Sequence, residues 1–153
     1  MKRKRTGLSI YELLFVLLLA GLLAAVSIPR LPMGAIGKQS VKAVSRQAAA
    51  DLRWTRQLAL ADAAVNPSGY ELLMEGAEPY SGYSVRNCQN GQTLSQVSFP
   101  SGLECTGGKR FWFGPLGNLQ SGSGSQIQIW CGESKYVIMV IPATGAVLCR
   151  KDG

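Results

Sequence analysis

Residues 8–28 form an apolar run, LSIYELLFVLLLAGLLAAVSI, interrupted by a single carboxylate at Glu12 and preceded by Lys2, Arg3, Lys4 and Arg5. No other stretch constrains the chain as tightly. As a helix this run is about 31 Å long, close to the hydrocarbon thickness of a bilayer. The cationic cluster predicts an amino terminus in the cytoplasm and the bulk of the chain outside. A secretory signal peptide is a competing reading, with Ala25, Val26 and Ser27 as its cleavage region. An uncleaved signal anchor is another.

Glu12 fits neither alternative. A carboxylate in an apolar helix is unfavourable unless it lies near an interface or is paired, so it reads as functional. It lies four residues after Leu8, which follows the small residue Gly7. A cut between Gly7 and Leu8 would create an α-amino group one helical turn from Glu12. A neighbouring copy of the chain could then offer its amine to the carboxylate, making Glu12 a device for staggered packing.

Gly7, the stretch Leu8, Ser9, Ile10, Tyr11, then Glu12, the apolar run and Pro29 together resemble the class III signal of type IV prepilins and type II secretion pseudopilins. The resemblance implies that a prepilin peptidase cuts after Gly7 and methylates the new amine of Leu8. It implies that Glu12 guides docking into a filament and that Pro29 marks a kink in a long stem helix. Leu8 stands where the family usually has phenylalanine, and Tyr11 replaces a small aliphatic residue. The implied partners are other pilin or pseudopilin subunits, the peptidase, the membrane and an inner-membrane assembly platform. The implied location is the bacterial inner membrane, single-pass, with the amino terminus cytoplasmic and the head periplasmic. From there the subunit would pass into a periplasmic or extracellular filament.

Beyond the interruption at 29–37, residues 38–65 predict a second amphipathic run. Val41, Val44, Ala48, Leu52 and Ala59 share one face at helical period, while Lys38, Lys42, Arg46, Arg53 and Arg56 form a stripe roughly opposite. That stripe is a solvated face, a contact for acidic surfaces of neighbouring subunits, or a DNA contact. Asn66, Pro67, Ser68 and Gly69 end the helix. Short strands are expected at 70–75, 82–86, 94–99 and 110–113, followed by a meander of 126–131, 136–141 and 146–150. The domain plan is thus a cleaved leader at 1–7, a transmembrane half-helix at 8–29, an amphipathic half-helix at 30–65 and a β-rich head at 66–153.

The cysteines Cys88, Cys105, Cys131 and Cys149 all lie in the second half of the chain. An even number beyond a membrane signal suggests an oxidising compartment and two disulfides, with free thiols as the alternative. The meander disfavours a Cys131–Cys149 bridge. The outer strands would be about 9–10 Å apart, and a disulfide needs roughly 4.4–6.8 Å between Cα atoms.

The head resembles the GspH/FimT group of minor subunits. The resemblance rests on residues 50–59 (ADLRWTRQLA), on residues 110–117 (RFWFGPLG), and on the closing strand-turn-strand with Thr144 and Gly145. It implies an α+β, pilin-like fold: a long amino-terminal helix, membrane-spanning in its first half, packed on antiparallel sheets.

Catalytic signals are missing. Histidine is absent, which removes the commonest general base and metal ligand. The serines at 121–125 sit in a Gly/Ser-rich loop. Gly107, Gly108, Lys109 and Arg110 lack the spacing of a phosphate loop, and the cysteines lack that of a paired zinc site. Trp112 and Trp130 read as core. No cofactor, metal or enzymatic activity is expected.

Net charge is +7, but without residues 1–7 the excess falls to about three, too small to demand nucleic acid. The expected function is a membrane-anchored minor pilin or pseudopilin. The alternative is a DNA-binding minor pilin acting in DNA uptake, with Arg150 and Lys151 contacting phosphate.

Overall fold

The computed structural model describes residues 10–26 and 33–152. It divides into two units, one comprising residues 1–32 and the other residues 33–153. The first contains helix α1, Ile10–Val26. The second contains helix α2, Met33–Ala61, and eight strands.

Two helices therefore stand where one long amino-terminal helix was expected. Pro29 and Pro32 lie between them in the sequence. Each lacks the N–H a helix needs, and each disfavours helical backbone at the preceding residue. Among the described residues no helix is long and apolar enough to cross a membrane. α1 has 17 residues, about 26 Å of helix against a hydrocarbon core of about 30 Å. α2 is longer but carries charges along its length. These findings overturn the α+β, pilin-like plan of a membrane-spanning stem on sheets, and with it the single-pass inner-membrane placement. What forms instead is a mostly β fold of two antiparallel sheets with a separate amphipathic helix against them.

The first sheet has the order β3-β2-β1-β5. Its strands are β1 Tyr70–Glu75, β2 Gly82–Asn87, β3 Thr93–Ser98 and β5 Arg110–Phe113. The second has the order β4-β6-β7-β8, from β4 Glu104–Gly107, β6 Gln126–Cys131, β7 Ser134–Val140 and β8 Val147–Asp152. β1 alternates buried and half-buried residues, the period-2 signature of a strand with one face on a core. β6 alternates in the same way over its first four residues. Between β6 and β7 the chain turns in two residues, and Gly132 supplies the positive φ of +58° at the first of them.

α2 packs against both sheets, touching β1 and β5 of the first and β6, β7 and β8 of the second. Its buried residues are Val41, Ser45, Ala48, Ala49, Leu52, Thr55 and Ala59. The spacing of three and four places nearly all of them on one stripe. Most are small, which lets the sheets approach the helix axis closely. Opposite them stand Leu72, Met74, Tyr83, Val85, Phe111 and Phe113 from the first sheet and Ile127, Ile129, Ile138, Val140 and Val147 from the second, in one hydrophobic cluster. The α-helix ends at Ala61, four residues short of the expected end at 65. Asn66 fixes the exit: it is buried, its N–H bonds the Asp62 carbonyl, and its Nδ2 donates to Gly69 O at 2.9 Å.

Candidate assembly surfaces

Gly7, Leu8 and Pro29, the expected processing and kink positions, lie outside the described residues, as does the basic leader at 1–7. Glu12 lies in the first turn of α1. The apolar side chains Ile10, Tyr11 and those of residues 13–19 are between 45% and 81% exposed. Seven consecutive exposed apolar residues cover every azimuth of a helix at 3.6 residues per turn. A helix apolar all round is one that becomes buried by something, and each such side chain is worth about 1.5–3 kcal/mol on full burial.

The basic stripe of α2 divides into two groups. Arg53 and Arg56 are clamps. Arg53 Nη2 donates to Val147 O at 3.0 Å. Arg56 Nε donates to Gly117 O at 3.2 Å and Thr144 O at 3.0 Å. A Cβ at Gly145 would collide with the Gly117 carbonyl and crowd the Arg56 side chain, and Gly145 has φ +66°. The three segments noted in the sequence, 50–59, 110–117 and Thr144-Gly145, therefore meet at one guanidinium. Sequence reasoning missed this role. The signal was present as a glycine in each of the two turns whose carbonyls Arg56 joins. Lys42 and Arg46, in contrast, are exposed.

Arg150 and Lys151 do not form one patch. They are successive residues of β8, opposite Val137 and Tyr136 of β7, and successive strand residues point to opposite faces. Lys135 Nζ lies 3.3 Å from Asp152 Oδ2, so the end of β8 carries its own counter-charge. A shallow basin of about 470 Å³ lies beside this pair, lined by Gln128, Trp130, Gly132, Glu133, Lys135 and Asp152. Trp130 is half-buried there rather than in the core.

All four cysteines are free thiols, which corrects the expectation of two disulfides. Cys131 and Cys149 lie on β6 and β8, with β7 between them. Cys105 of β4 is opposite Ile129, so Cys131 is its diagonal neighbour, about 7–8 Å away and beyond disulfide reach. Burial pushes the Cys105 thiol up to about 12, with the Glu78 charge adding to it. Burial pushes Cys88 up to about 11, the Glu71 carboxylate adding to it and Arg110 opposing it. Burial also raises Cys149, against the lowering effect of Arg53 and Arg46. Raised thiols stay protonated at neutral pH and are poor nucleophiles.

The remaining polar clusters hold the fold. Tyr83 Oη donates to Asp51 Oδ2 at 2.6 Å, tying β2 to α2. Burial, then the hydrogen bond to Asp51, raises the Tyr83 hydroxyl well above its ordinary value. Tyr70 donates to Asp62, and that hydrogen bond is the main reason its hydroxyl is raised. Arg110 pairs with Glu71 and lies 4.5 Å over the Trp112 ring, while Trp112 Nε1 donates to Ser68 O at 2.7 Å. Trp112 is thus half-buried on the outer side of its sheet. Among the described residues no three Cys, Asp or Glu side chains converge on a metal position. Comparison of the chain with protein-family models, with curated proteins and with solved structures finds no match in any of the three.

Proposed function

We propose that the chain is a structural subunit of a type II secretion pseudopilus or type IV pilus, cut after Gly7 by a prepilin peptidase. The observation that carries this reading is α1: a helix apolar around its circumference, with one carboxylate, Glu12, in its first turn. The helix acts as a packing element between copies rather than as a membrane span. Burying its apolar side chains against neighbouring α1 helices supplies the driving force. Glu12, paired with the α-amino group of Leu8 on the next copy, sets the stagger, because an unpaired buried charge is strongly unfavourable. The residues of 33–152 then present a surface to neighbouring subunits. DNA binding through Arg150 and Lys151 gains no support, since alternation along β8 directs them apart.

Intact mass of the protein from native cells, with and without the peptidase, tests this reading. Loss of residues 1–7 with one added methyl group is expected only when the peptidase is present. Glu12→Ala should abolish incorporation into filaments while leaving the second unit folded. A chain beginning at Met1 in both samples would overturn the proposal.

A further inference from the structure

Two four-stranded open sheets have four edges, and the chain treats one of them differently from the rest. β5 is covered: Gln120 N–H donates to Trp112 O at 2.8 Å, Gly124 N–H to Arg110 O at 2.8 Å, and Ser123 Oγ accepts from Trp112 N–H at 3.1 Å. β4 is covered by the loop between β1 and β2. Tyr80 N–H donates to Cys105 O at 2.8 Å, Glu78 Oε1 accepts from Gly107 N–H at 2.9 Å, and Tyr80 Oη donates to Gly107 O at 3.1 Å. β8 has Arg53 on its Val147 carbonyl and carries Arg150, Lys151 and Asp152. Covered or charged edges are how proteins prevent strand pairing with other chains.

β3 has neither protection. Tyr83 opposes Val97 and Val85 opposes Ser95, and Phe99 N–H donates to Ser81 O at 2.8 Å. In an antiparallel ladder hydrogen-bonded pairs alternate, so Val97 and Ser95 bond to β2 while the N–H and C=O of Gln96 and Ser98 face outward. Among the described residues nothing outside β2 takes those groups. The Gln96 side chain is held elsewhere, its Nε2 donating to Glu75 Oε2 at 3.1 Å. The register shift between Val85 and Arg86 bends the start of β3, leaving its second half, with Gln96 and Ser98, as the straight part of the edge. Throughout residues 87–103 there is no charged side chain.

We propose that β3 is a strand-pairing surface through which two copies of the chain join antiparallel, extending the first sheet across a twofold axis. The absence of charge selects this occupant. A twofold sets each strand against a reversed copy of itself, so a charge on the axis meets its like and adjacent like charges meet each other. β8 would place Arg150 and Lys151 in that position, whereas β3 brings together only Thr, Leu, Ser, Gln and Val. Main-chain hydrogen bonds supply the contact, as in other cases of strand addition. This inference does not rest on filament membership.

Amide hydrogen exchange of the full chain, kept dispersed in detergent because α1 exposes apolar side chains, tests it at low and high protein concentration. Raising the concentration well above the dimer dissociation constant should slow exchange at Gln96 and Ser98 about tenfold or more by mass action. Amides of β1 and β6, already hydrogen-bonded within one copy, should stay protected at both concentrations and report that the chain is folded. The double variant Gln96→Lys, Ser98→Lys should lose the concentration dependence while β1 and β6 stay protected, which shows that it is folded. Slowing confined to residues 10–26 would report association of α1 alone and would overturn the β3 proposal without touching the filament reading. Equal rates at both concentrations throughout the chain would likewise overturn it.

Discussion

In α1, residues 13–19 are all apolar and all exposed, whereas among the described side chains of α2 the buried residues recur mostly at intervals of three and four. Val44 and Leu58 pack beside them, and Trp54 and Leu60 are the large apolar residues left exposed. One helix has no face, the other has a strict one. α2 packs its apolar stripe within the chain, where Val41, Ala48, Ala49, Leu52 and Ala59 join residues of both sheets in one cluster. α1 leaves its apolar side chains exposed, and on the proposed function their packing is completed by another copy. The same apolar residue type therefore supports the fold in α2, whereas in α1 the proposed function assigns it to association, and substitution separates the two.

The largest expected effect tests that separation directly. Leu52→Ala removes a fully buried side chain where α2 meets the sheets and should cost about 2–5 kcal/mol of stability, read by urea denaturation of the second unit. Leu17→Ala removes a side chain that is mostly exposed and should change that stability by less than about 0.5 kcal/mol. Its effect should appear in filament incorporation instead. Equal losses of stability from the two would erase the contrast.

Tyr83→Phe sharpens the account of α2 as a helix fixed by polar as well as apolar contacts. The Tyr83 hydroxyl bonds the Asp51 carboxylate, and losing a hydrogen bond to a charged group costs about 1.5–3 kcal/mol. The same site predicts a pH dependence. Tyr83, Tyr70, Cys88 and Cys105 all have folded values raised above their ordinary ones. Stability from a raised group is fully present below its unfolded pKa and is lost as pH rises toward the folded one. The thiols, with an ordinary value of 9.0 and folded values of about 11 and 12, should therefore begin to lower stability near pH 9. The tyrosines follow above about pH 10. Cys105→Ala should flatten the first part of that decline in denaturation curves taken between pH 8 and pH 11.

Local pattern carried much of this into the sequence. Strands β1, β5 and β6 begin and end where the alternation and the flanking glycines placed them, and the buried stripe of α2 follows its period. β4 was not legible. No strand was expected at Glu104, Cys105, Thr106 and Gly107, where β6 and the Tyr80 loop pair with the two sides of the segment. The single long helix came from the family resemblance, which outweighed the break that Pro29 and Pro32 signal in the sequence itself. Arg53 and Arg56 looked like part of a solvated stripe because their acceptors, Val147 and Thr144, lie 94 and 88 residues away in sequence. No local window contains both ends of such a bond.

Smaller effects resolve what the arginines do. Gly145→Ala forces a side chain into a left-handed backbone position against the Gly117 carbonyl and should cost about 1–3 kcal/mol. Arg56→Ala leaves the Gly117 and Thr144 carbonyls without their donor and should cost about 0.5–1.5 kcal/mol for each bond lost. Because both substitutions disturb one junction, their effects should be less than additive in a double-mutant cycle. Additive losses would mean that Arg56 and the Gly145 turn act independently.

Lys42→Ala and Arg46→Ala complete the series at its lower end. Both side chains lie on the exposed side of α2, and among the described residues neither holds a carbonyl as Arg53 and Arg56 do. Each should leave the unfolding midpoint unchanged within about 0.5 kcal/mol. If the exposed half of the stripe serves assembly, the two together should weaken filament incorporation in a salt-sensitive way, since contacts between exposed charges are screened over about 8 Å at physiological ionic strength. α1 offers the control, because Leu17→Ala weakens incorporation through apolar burial, which added salt does not screen. Salt-insensitive incorporation of the wild-type chain, matched by the Lys42→Ala, Arg46→Ala variant, would return the stripe to a solvated face and leave α1 as the element on which assembly depends.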